Sequence, residues 1–95
     1  MHHFVANVQL LSTAEGGRKG PLFSGEWRTV LGINHEHWSA RLAFSGEPAP
    51  GQSFVAQVQL LRPDVALPFF RIGAQFTVWE GDIKGVGQVV ALAAT

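Results

Sequence analysis

The feature that most limits how this chain can fold is a side-chain period of two that persists almost from end to end. Phe4, Ala6, Val8 and Leu10 alternate with Val5, Asn7 and Gln9, and Phe54, Ala56, Val58 and Leu60 alternate with Val55, Gln57 and Gln59. Neighbouring side chains on a strand point to opposite faces, so this pattern predicts strands with one buried face. Ile72, Ala74, Phe76 and Val78 set against Gly73, Gln75, Thr77 and Trp79 predict another. Val86 and Val89-Val90-Ala91-Leu92 predict a final, more apolar strand after a glycine-rich turn, and Trp27–Ile33 and Trp38–Phe44 supply two shorter runs. No window sustains a 3.6 period, so helix should be minor.

Turn residues separate these runs: Glu15-Gly16-Gly17, Gly20-Pro21, Ser45-Gly46-Glu47-Pro48, Pro50-Gly51, Arg62-Pro63-Asp64 and Glu80-Gly81-Asp82. Glycine supplies positive φ and proline a fixed φ, and both end strand pairing. Six strands at this spacing suggest a sandwich or a barrel. A closed antiparallel barrel is the expectation, because closure removes exposed edges from a domain this small. A chain of 95 residues encloses one sizeable core, which makes residues 1–95 a single all-β domain.

One segment is echoed. Phe4–Leu11 (FVANVQLL) matches Phe54–Leu61 (FVAQVQLL) except at Asn7 against Gln57. Two strands meeting the same core requirements account for this more simply than a duplication does, since no other segment repeats in the same order.

Composition then narrows function. With 46% hydrophobic and 15% charged residues, the chain is not of the disordered class. Its formal net charge is zero, whereas nucleic-acid-binding domains usually carry a clear excess of Lys and Arg. Cysteine is absent, which removes disulfides, thiolate metal sites and thiol nucleophiles together and fits the cytoplasm. No apolar run of about 18 residues predicts a membrane-spanning helix, and the opening Met1-His2-His3-Phe4 lacks the pattern of a secretory signal. No chemistry is placed on His2 and His3.

Gly16-Gly17-Arg18-Lys19-Gly20 is glycine-rich and basic, but it lacks the spacing of a phosphate-binding loop and no helix follows, so no nucleotide is expected. It reads as a turn with a basic tip at Arg18 and Lys19 that offers at most a small anion contact. His35-Glu36-His37 is the one candidate metal cluster, because residues two apart on a strand share a face. A stable site needs three or four converging ligands, and a polar loop explains the trio more simply. Ser12, Ser24, Ser39 and Ser45 include no nucleophile elbow, and the acidic residues are scattered. No catalytic role and no cofactor are therefore expected. Trp79 falls on the outward phase of its strand, where it reads either as an interaction surface or as a side chain covered by a neighbouring segment. Trp27 and Trp38 are ambiguous in phase.

In order and kind, these motifs resemble the C-terminal (third) domain of translation elongation factor Tu. The resemblance is carried by Leu10-Leu11-Ser12-Thr13-Ala14-Glu15-Gly16-Gly17-Arg18 followed by Pro21, Phe23 and Gly25. It continues through Pro50-Gly51 and Arg62-Pro63 to Phe76-Thr77-Val78-Trp79-Glu80-Gly81, Gly85-Val86-Gly87 and Val89-Val90. It covers the chain from Phe4 to about Leu92 and implies a six-stranded antiparallel Greek-key barrel. In the full-length factor this domain helps to hold the T stem of aminoacyl-tRNA and contacts protein partners. GTP hydrolysis belongs to a domain this chain does not contain. The family's T-stem Glu-Gly pair matches Glu80 and Gly81, and the arginine of its Glu-Gly-Gly-Arg matches Arg18, with Lys19 next. Its glutamine, threonine and arginine positions are occupied here by Thr29, Trp38 and Trp79. Replacing arginine by tryptophan turns a phosphate-facing patch toward a protein-facing one. The resemblance thus implies a non-catalytic, translation-related binding module whose surface includes Arg18, Lys19, Trp38, Trp79, Glu80 and Gly81. A protein or a second copy of the chain is the expected partner, and tRNA is the alternative.

Overall fold

The computed structural model describes residues 2–23 and 25–93. Six strands form: β1 (Phe4–Leu10), β2 (Glu26–Ile33), β3 (Glu36–Ala43), β4 (Ser53–Leu60), β5 (Gln75–Glu80) and β6 (Asp82–Leu92). They close into an antiparallel barrel in the order β1-β4-β3-β2-β5-β6. Strands β2, β3 and β4 follow one another, and β1 lies beside β4, which is the Greek-key arrangement. Helix is confined to a 3-10 turn at Thr13–Glu15, one turn of α-helix (α1, Pro63–Ala66) and a second 3-10 turn at Leu67–Phe69. The alternation predicted for β1 and β4 is realised: Phe4, Ala6, Val8 and Leu10 are buried, as are Ala56, Val58 and Leu60.

Three rings close one end of the barrel. Phe4 stacks on Phe70 at 4.9 Å between centroids, and Phe76 meets Phe70 edge-on at 5.7 Å. Phe70 comes from the β4–β5 connection and not from a strand; α1 and the 3-10 turn after it carry the chain across the barrel end. This changes one expectation. The alternation predicts Ile72 on the buried phase of a strand running into Phe76, but β5 begins at Gln75, and Ile72 lies in the preceding turn with 65% of its surface exposed. Gly73, at φ +90°, turns the chain into β5, so the alternation from Ile72 to Ala74 is accidental.

The glycines expected in a turn before the last strand are instead inside β6. A Cβ on Gly85 would stand 2.8 Å from the carbonyl oxygen of Gln9 on β1, and one on Gly87 would overlap the Phe76 ring. Close approach, not turning, is what requires glycine at these two positions.

The β2–β3 hairpin turns through Asn34 (φ 57°) and His35 (φ 65°). Both lie in the left-handed region, as a type I′ turn demands. Asparagine tolerates that region and histidine pays for it. Replacing His35 with glycine should therefore stabilise the protein by about 0.5–1 kcal/mol. The check is an increased urea midpoint at unchanged m-value.

The repeated segment has a structural counterpart. Exchanging β1 for β4, β2 for β5 and β3 for β6 reproduces the barrel order read in the opposite sense, and both β1 and β4 lead into a short helical turn. The matched residues Ala6 and Ala56 are also directly paired across the β1–β4 ladder. An approximate two-fold axis therefore passes through that pair. Shared core requirements explain the inward matches. They do not explain outward ones such as Val5 with Val55 or Gln9 with Gln59.

Candidate functional site

Four of the six residues singled out in the sequence come together at one barrel end. After the Ser12 cap, the β1–β2 loop folds over the tight β5–β6 turn. Ser12 accepts from the Glu15 amide at 3.2 Å and its own amide donates to the Glu15 carboxylate at 3.0 Å, a reciprocal capping box. These bonds from Ser12 hold the Glu15 carboxyl below the usual glutamate range. Gly17, buried, then passes so close to Leu11 and Ser12 that any Cβ would overlap the Leu11 carbonyl oxygen. This sets Arg18 against Glu80.

The Arg18 guanidinium forms an ion pair with Glu80, lies 5.7 Å from the centroid of the Trp27 ring and donates from Nε to the Gly20 carbonyl at 3.3 Å. Glu80 accepts at its other oxygen from the Trp27 indole N–H at 3.2 Å. Trp27 is buried core, so the Arg18–Glu80 pair roofs the end of the barrel. Gly81 (φ 83°) makes the β5–β6 turn beside it. Lys84 donates to the Gly16 carbonyl at 3.0 Å and pairs with Asp82 at 2.7 Å. Lys19 is exposed. The expected basic tip thus presents Lys19, while Arg18 is turned inward onto an acid and an indole.

Trp79 and Trp38 do not join this cluster. Trp79 is outward, as its phase predicts, but half-buried on the barrel wall. It lies in a notch over Gly32, where a Cβ would come within 2.7 Å of its indole nitrogen. It donates to Thr77 Oγ1 at 2.7 Å and meets the edge of His37 at 4.8 Å between ring centroids. Trp38 shares the inward phase of Ala40 and Leu42 and stacks on Phe69 at 6.0 Å. Its indole nitrogen is buried without a hydrogen-bond partner among the described residues. Trp38 is therefore a half-buried side chain packed against the core, apart from the Arg18–Glu80 cluster.

The histidine trio separates for a similar reason. His35 sits in the turn and His37 on β3, so they do not share a strand face. Among the described residues no three His, Cys, Asp or Glu side chains converge on a metal position. Ser12 Oγ is bonded to Glu15; Ser24, like Met1, lies outside the described residues. Among the described residues no helix is long and apolar enough to cross a membrane. The chain matches no family model and no curated protein.

Two features were not foreseen. His3 pairs on both sides of the β1 entrance: its carbonyl accepts from Ala93 at 3.0 Å and its Nδ1 accepts from the Leu60 amide at 2.9 Å. The second is a segregation of charge over the barrel wall. Glu26 bridges Arg28 and Arg41 on β2 and β3 at 3.3 and 2.8 Å. By contrast, β1 and β4 carry no charged residue, and β6 carries only Asp82 and Lys84 at its start. A shallow groove of about 510 Å³ runs from this wall across β6 and β5 to the end of β2, lined among others by Asn7, Gln9, Gln75 and Gln88. The alternation that located the strands already held this signal, since the outward residues of β1 and β4 are amides, valines and Ser53.

Proposed function

We propose that this chain is a non-catalytic binding module whose partner is a protein, built on a barrel that resembles the C-terminal domain of elongation factor Tu and acting in a translation-related setting. The order of motifs and the closed six-stranded barrel support the resemblance. The observation that carries the choice of a protein over RNA is the fate of Arg18. Its guanidinium is spent on Glu80 and Trp27, and Lys84 is likewise held by Asp82. Phosphate affinity grows with the number of cations free to displace counterions. A surface that presents Lys19 while Arg18 and Lys84 are held internally has little of that attraction, whereas an uncharged wall suits a protein interface.

The test is a titration with total tRNA at low and at high salt, followed by tryptophan fluorescence. No saturable change is expected at either. Saturable quenching that falls steeply with salt, and is reduced by Lys19→Ala, would overturn the reading in favour of RNA.

A further inference from the structure

The uncharged wall has a pattern that points to its occupant. Around the Ala6–Ala56 pair, Val5 stands opposite Gln57 and Asn7 opposite Val55. All four side chains are outward. They form a checkerboard: valines at two diagonal corners, amides at the other two, related by the local two-fold axis. Val86 and Val90 on the adjoining β6 widen the uncharged patch, with Gln88 beside Asn7 and Val86 beside Gln9; they are exposed at 46% and 47%, and Val55 is 60% exposed.

We infer that this wall is the surface on which two copies of the chain pack face to face, a conclusion that rests on the protein-binding reading above. A second copy turned about an axis in the plane of the wall, along the Asn7–Gln57 diagonal, brings Val5 onto Val55, Val86 onto Val86 and Gln9 onto Gln88. Carboxamides both donate and accept, so an amide pairs with its own kind without a complementary charge. A charged partner would have its ions desolvated against a wall that carries no opposite charge, and a copy of the same wall brings none. This is the isologous geometry of a two-fold dimer, in which one patch serves both subunits.

Area sets the strength. Three strands about 4.8 Å apart, with three outward rows about 6.8 Å apart, make roughly 300–400 Å² per copy. Standard interfaces bury about 800 Å² per partner. An interface this small belongs to the weak, transient class, so association is expected only at roughly 10 µM to 1 mM protein.

Sedimentation equilibrium from about 10 µM to 1 mM covers that range. The weight-average mass should rise toward twice the monomer's and be insensitive to salt. Val55→Lys, which places two lysines near one another across the axis, should weaken association at least about tenfold. Ile72→Lys, equally exposed but off the wall, should leave it unchanged; circular dichroism verifies that both variants are folded. A protein that stays monomeric to the highest concentration overturns the inference. So does a dimer that Val55→Lys leaves intact, although that result spares the wider protein-binding reading. The tRNA titration tests the wider reading independently.

Discussion

Phe70→Ala is expected to cost about 3–5 kcal/mol, the range for removing a buried phenyl ring from a core. In a domain of this size that corresponds to a fall of roughly 15–30 °C in thermal midpoint, a large share of the stability a small domain has. Phe70 is 1% exposed and is held between Phe4 and Phe76. It enters the barrel from a connection, so no ladder register would pull another side chain into the space it leaves. Phe23→Ala is the control, since Phe23 is 57% exposed and should change stability by no more than about 0.5 kcal/mol. Thermal melts by circular dichroism compare the two. A Phe70→Ala protein within about 1 kcal/mol of the parent would mean that the ring does not close the barrel end.

Gly17→Ala should be the most disruptive small substitution in the β1–β2 loop, costing about 2–3 kcal/mol. The new methyl would overlap the Leu11 carbonyl oxygen and stand 2.7 Å from that of Ser12. Both are backbone atoms, so no rotamer change relieves the clash and the loop must lift. Arg18 would leave Glu80, and Glu80 would be left with only the Trp27 indole. Gly16→Ala should cost about 1 kcal/mol: its φ of +95° strains an alanine, but the space around it is open. Urea midpoints rank the two, and a change in Trp27 emission confined to Gly17→Ala identifies loop release. The reverse ranking would mean that positive φ, not close approach, governs this loop.

The strands were legible in the sequence because each residue of β1 and β4 faces either a packed interior or water, and period two records that choice directly. The barrel was legible through turn spacing and through the absence of any helical stretch. Chain crossing the barrel end was not. Leu67-Pro68-Phe69-Phe70 has no period, and its inward turn depends on rings contributed by β1 and β5. Glycines inside β6 looked like turn residues because sequence does not distinguish positive φ from close approach. At the candidate site, the motif brought Arg18, Glu80 and Gly81 together on paper, and they are together in space. That Arg18 would be neutralised there depends on Glu80 and Trp27, residues far away in the chain that meet only when the barrel is closed. Trp38 is ambiguous in phase from sequence, because one hairpin register decides whether its indole points in or out.

The seam between β1 and β6 pairs Phe4 with Leu92 and Leu10 with Gly85, which has a consequence for biosynthesis. The opening strand can pair with β4 once that hairpin emerges, but its other edge stays open until β6 has been made. Contacts this distant in sequence pay their loop-closure entropy before any packing rewards it. A nascent chain would therefore expose the apolar, uncharged edge of β1 until β6 emerges. Ribosome-bound chains that stop short of β6 should be far more sensitive to protease than the released protein.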